Sequence, residues 1–123
     1  VHLYGMMKTF SVGVQQGKLT AEIENEAIPE TDAGKDAVAK LKTVAQLQTF
    51  AREAFQTISD TLAGMSDEQL AQQLESPFGT FPVWQYFAFV YDEHWHHRGQ
   101  LYTYARLLGK EAPMLYDYEN SPA

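Results

Sequence analysis

The stretch from Pro82 to Leu108 constrains the fold most. Pro82 suits a first helical turn, where a missing N–H is not needed, and Gly109 is a natural stop. The pattern predicts one helix of ~27 residues, on the order of 40 Å long. Counted at about 100° per residue, Val83, Tyr86, Val90, Leu101, Tyr104 and Leu108 fall within roughly 40° of His97. That stripe predicts a face buried along its length, with His97 in its middle. A long helix with one apolar stripe must be covered by other helices, which directs the chain to a bundle.

The remaining segments agree. Val1 to Gln16 reads as a helix ended by Gly17, with His2, Met6, Thr9 and Gly13 on one face. Gly5 and Gly13 each weaken that helix by roughly 1 kcal/mol relative to Ala. Lys18 to Gly34 has mixed composition; alternation in "LTAEIE" suggests a short extended piece, and Pro29 with the following Glu-Thr-Asp-Ala-Gly marks a loop. Asp36 to about Leu62 is the clearest amphipathic helix, with Val38, Leu41, Ala45, Gln48, Ala51, Phe55, Ile58 and Leu62 stepping by three or four, ended by Gly64. Ser66 with Gln69 three residues on forms a capping-box pattern and predicts a short helix. "ESPFGTFP" reads as a turn-rich break. The tail "KEAPMLYDYENSPA" is aromatic, broken by prolines, and suited to lie against the bundle.

The expectation is an all-α, single-domain chain over residues 1–123, with three substantial helices and one short one. It opens directly in a helical pattern, with no starting Met and no cap, as though entered partway through an element. Three long helices leave one side of a core open, which a fourth, N-terminal helix or a partner subunit would close.

Charge and composition narrow the function. The formal charge of −7, without a basic cluster, disfavours nucleic acid, whose binding depends on phosphate neutralisation. There is no polybasic segment for an anionic membrane and no apolar run of roughly 18 residues to span one. No secretory signal is visible, and a cytoplasmic location is expected. The chain has no cysteine, so a metal site must use His, Asp, Glu or backbone oxygen.

Three of the four histidines crowd into "DEHWHHRGQ", Asp92 to Gln100. Helical geometry separates them. Glu93 lies four residues before His97 at about −40° and shares its face; His94 lies at about +60°, on the edge; Gln100 flanks the other side at about −60°. His96, Trp95 and Arg98 point off the stripe, and Arg98 reads as a surface or interface cation. Gly99 gives room beside a site or for close helix approach. An i, i+4 Glu–His pair aims two donors at one point, as in metal sites built inside bundles. A carboxylate among Val, Leu and Tyr needs a partner, so Glu93 is expected to be metal-bound, or hydrogen-bonded with His97 or Tyr104. His2 sits on a helix able to pack beside this one and is a candidate third ligand.

The segment "HHRGQLYTYARLLG", His96 to Gly109, resembles the C-terminal helix of the DinB-like superfamily, the DNA-damage-inducible four-helix bundles. Its pattern is His-x-x-x-His, Arg-Gly-Gln, then Leu-x-x-Tyr-x-Arg-x-Leu-Gly. "HLYGMMKTF" resembles that family's second helix; its first helix has no counterpart here. The resemblance implies an up-down-down-up bundle, a homodimer, and a divalent metal held by three residues, generally histidines. Carried over by position, two of these are His2 and His97. The third falls on Glu93, with His94 as the alternative ligand. A two-His-one-carboxylate set takes Zn, Ni, Mn or Fe(II) and leaves open positions. Relatives include thiol-dependent S-transferases and maleylpyruvate isomerases using bacillithiol or mycothiol. The resemblance therefore implies a metal-dependent enzyme acting on a small molecule, with a low-molecular-weight thiol as co-substrate and Gln100 and Tyr104 orienting substrate. A metal-dependent hydrolase is the nearest variant. The alternative is a non-catalytic, stress-related metal-binding or dimeric interaction protein.

Overall fold

A computed structural model describes residues 1–113; the expected packing of the tail beyond Pro113 lies outside the described residues. In chain order the elements are α1 (His2–Gln16), α2 (Ala21–Asn25), α3 (Asp32–Lys40), α4 (Val44–Ala63), α5 (Asp67–Ala71), β1 (Gln73–Ser76), β2 (Gly79–Pro82) and α6 (Val83–Leu107). The fold is mainly all-α, as expected.

Helix α1 is the centre of the packing and touches both α4 and α6 extensively. Phe10 meets Tyr86 and His2 meets Glu93 and His97, so α1 and α6 are antiparallel. Lys8 pairs with Glu53 and lies over the Phe50 ring, while Val14 and Thr61 line one cavity further along, so α1 and α4 run the same way. The core lies where these helices meet: Met6, Met7 and Phe10 of α1, Ala54 and Ile58 of α4, Val83, Tyr86 and Val90 of α6. Tyr86 is its hub. Its ring packs edge-on against Phe10 and Phe81, and its hydroxyl donates to the Leu74 carbonyl at 2.7 Å.

Four expectations are corrected. "LTAEIE" is not extended: the Thr20 side chain accepts from Ile23 N–H and starts α2. The long amphipathic helix is two helices, because Thr43 and Gln46 form a capping box that starts α4 afresh. Accordingly Ile58 is buried, while Val38, Phe55 and Leu62 of the expected stripe are exposed. "ESPFGTFP" is more than a turn: Gln73–Ser76 and Gly79–Pro82 pair antiparallel, with Gly79 at φ 136 allowing the tight reversal. Finally, the α6 stripe is buried only over Val83, Tyr86 and Val90; Leu101 and Tyr104 are each 61% exposed. Helix α1 begins opposite Glu93 and His97 and does not accompany α6 beyond them, and His97 sits at the edge of the core rather than its middle.

Gly5 and Gly13 admit the strap that follows α1. A Cβ on Gly5 would stand 3.2 Å from Ala27, and one on Gly13 would stand 3.1 Å from the Leu19 side chain. Leu19 and Ala27 are themselves buried, and Leu19 N–H donates to the Glu75 carbonyl at 2.9 Å. The strap therefore closes over α1 and ties its end to the hairpin. On another face, Phe55 and Leu62 of α4 and Phe87 and Tyr91 of α6 border an apolar trough floored by Met7.

Replacing Tyr86 by Phe keeps the aromatic packing and deletes only the hydroxyl bond to the hairpin. Urea denaturation should show a loss of about 1 kcal/mol. An unchanged midpoint would mean that the hydroxyl does not secure the hairpin.

Candidate metal centre

The site forms where the first turn of α1 meets the middle of α6. Neither helix builds it alone. On α6 the i, i+4 spacing brings Glu93 Oε2 to 3.1 Å from His97 Nε2. From α1, His2 Nε2 comes to 3.6 Å from the same Glu93 oxygen, and the two imidazoles meet edge-to-face with centroids 5.2 Å apart. One donor atom from each of His2, Glu93 and His97 lies within 4.8 Å of the others.

Each histidine is also held from behind. His2 Nδ1 is 2.7 Å from the Ala27 carbonyl, and His97 Nδ1 is 2.8 Å from Gln100 Oε1. A carbonyl oxygen only accepts, so both Nδ1 atoms carry the proton and both Nε2 atoms face the cluster. Three donors around a tetrahedral Zn²⁺ at ~2.0–2.1 Å stand ~3.4 Å from one another. The observed contacts to Glu93, 3.1 and 3.6 Å, bracket that separation. The residues present therefore fit a divalent cation: two imidazole Nε2 atoms and one carboxylate, converging, with the histidine ring orientations already fixed.

Glu93 differs from expectation in one respect. Its side chain is 41% exposed, and those of His2 and His97 are 32% and 27% exposed. The carboxylate is not stranded in the core, because the packed part of the bundle ends here. Burial therefore does not force the cluster together, and its open side faces solvent.

His94, the alternative ligand, turns elsewhere. Its ring lies edge-on to Tyr4 with centroids 6.5 Å apart, and its Nδ1 is buried without a hydrogen-bond partner. Burial, and secondarily the Arg98 guanidinium, hold its pKa below the ordinary imidazole value. Arg98 itself stacks over the Trp95 ring at 3.8 Å. Gly99 faces open space, so no close helix approach occurs there among the described residues. Tyr104 lies two turns past His97 on the exposed part of α6. Gln100 is committed to protein contacts on both sides, to His97 and, through Nε2, to His96 at 3.0 Å.

The Ala27 carbonyl was invisible in the sequence, since it reaches His2 across 25 residues of separation. Gln100 as a partner of His97 was within reach, because i, i+3 residues adjoin on a helix.

The chain belongs to the DinB family, whose model matches residues 14–122. Glu93, His97 and Gln100 lie inside that match; His2 lies before it. No curated protein and no solved structure matches the chain. Among the described residues no helix is long and apolar enough to cross a membrane.

The placement of the histidines can be read directly in solution. Nuclear Overhauser spectra should show contacts between the His2 and His97 rings, and separately between His94 and Tyr4. Absence of the first set would contradict the convergence of α1 and α6 at the site.

Proposed function

We propose that His2, Glu93 and His97 bind one divalent cation, and that the protein is a metal-dependent enzyme of the thiol-transferase type. What carries the reading is the meeting of three donors from two helices, with both imidazoles held so that Nε2 faces inward. Three protein ligands leave positions open, as in catalytic rather than closed structural sites. Zn, Ni, Mn and Fe(II) all suit this donor set.

A bound cation would supply Lewis acidity toward a thiol, a water or a carbonyl. The chain's own contribution is to offer two neutral imidazoles and a single carboxylate, which leaves net positive charge on a divalent site. Such a site would favour an anionic ligand such as a thiolate, and the transfer would form a sulfur–carbon bond as the bond from that carbon to its leaving group breaks, the leaving group departing with the electron pair. The exposed Leu101 and Tyr104, next along the same face of α6, offer an apolar surface for the rest of the substrate. Gln100 is occupied by His97 and His96, which leaves it poorly placed to orient substrate and transfers that role in our reading to Tyr104.

A non-catalytic metal-binding or interaction role is the second reading, and the apolar trough between α4 and α6 favours it. A second copy of the chain in a homodimer, or a further helix, would cover that face. A cytoplasmic, stress-related setting is part of both readings.

Metal titration separates these ideas. Apparent Zn²⁺ binding free energies of ~10–16 kcal/mol in fully coordinated sites imply ~3 kcal/mol per ligand, on the order of 100-fold in affinity. His2→Ala, Glu93→Ala and His97→Ala should each lose about that much in a chelator competition, while His94→Ala should stay close to the parent. No binding of Zn, Ni or Mn by the parent protein would defeat both readings. Binding without turnover, across a panel of low-molecular-weight thiols with an electrophile and across hydrolysable esters, would leave the non-catalytic one.

A further inference from the structure

We propose that Gln100 is the positioning residue of this site, setting which nitrogen His97 offers, and that His96 is its anchor. The inference rests on the metal-ligand reading above and deepens it.

Gln100 reaches two histidines at once. Its Oε1 stands 2.8 Å from His97 Nδ1, and its Nε2 stands 3.0 Å from His96 Nε2. The amide is turned with its nitrogen toward His96 and its oxygen toward His97. The amide nitrogen only donates, so His96 Nε2 must accept, and the amide oxygen is left to face His97. The oxygen only accepts, so His97 Nδ1 must donate. His97 therefore directs Nε2, and not Nδ1, to the side of Glu93 and His2. Without Gln100 the ring is free to turn about its side-chain torsions, and either nitrogen can lose the proton.

The crowding of histidines on α6 thus has a division of labour. His97 faces the cluster, and His96 points away and steadies the amide that orients it. The rings of His96 and His97 lie 5.1 Å apart, consistent with one amide spanning both. On α1 the corresponding hold on His2 comes from the Ala27 backbone carbonyl. The two imidazoles are thus oriented by neutral carbonyl oxygens rather than by carboxylates. A carboxylate in that place would make the imidazole more basic and a stronger donor.

The test is Zn²⁺ affinity by chelator competition on the intact chain, with four variants. Gln100→Leu is expected to lose roughly 10–100-fold, the usual effect of removing a residue that orients a metal-binding histidine. Gln100→Glu, which can only accept at this position, is expected to restore parental affinity or exceed it. In a His97→Ala background, adding Gln100→Leu is expected to change nothing further. The proposal is overturned if Gln100→Leu binds within about twofold of the parent, or if Gln100→Glu fails as Gln100→Leu does. It is equally overturned if the loss persists undiminished without His97, which would mark a general structural effect. Should the parent chain itself bind no Zn²⁺, the ligand assignment fails first, and that result is distinct from every variant pattern above.

Discussion

The antiparallel seating of α1 on α6 is the contact on which the rest depends. Phe10 against Tyr86 sets the register between the two helices. Once those rings meet, two turns of α1 carry His2 to Glu93 and His97. A slip of one turn, about 5.4 Å, would break the cluster while leaving both helices intact. The strap after α1 reinforces the same register. It passes so close to Gly5 that Ala27 lies over the helix, and there its carbonyl meets His2. Core packing and site geometry are therefore one arrangement, with its dry end at Tyr86 and its wet end at Glu93.

Much of this was legible in the sequence, and the reasons are specific. The long helices follow from apolar spacing and from glycine stops: Gly17 and Gly109 both adopt the left-handed conformation that ends a helix. The pairing of Glu93 with His97 follows from the helical period alone, which also turned His96 away and left His94 on the edge of the face. Less legible were features made by one local bond overriding periodicity. Thr43 cut a continuous amphipathic pattern in two, and Thr20 turned an alternating stretch into a helical turn. The hairpin is hard to see in the sequence because its strands are four residues each and "ESPFGTFP" as a whole reads as turn. Burial of Leu101, Tyr104 and Leu108 was overestimated because a stripe on a helix states what can be covered, not how far the neighbour extends.

The DinB family assignment is secured by the match over residues 14–122, yet the proposed site takes one of its three donors from outside that span. The resemblance seen in the sequence implies three ligands that are generally histidines; this chain has Glu93 at one of those positions. In place of a third neutral donor, the carboxylate lowers the charge of a bound dication by one and favours harder metals more than a three-imidazole set does. The substitution also makes the half-exposed setting easier to sustain, since a hydrated carboxylate costs little there.

The central claim is that two imidazoles and Glu93, without His94, make up the protein's share of a metal site. X-ray absorption of the zinc-loaded chain counts imidazoles through their multiple scattering. The account predicts two, with the remaining first-sphere donors oxygen, at about 2.0–2.1 Å. Three imidazoles would contradict it, because a further histidine would then join His2 and His97 on the metal. One alone would mean that α1 does not bring His2 to α6.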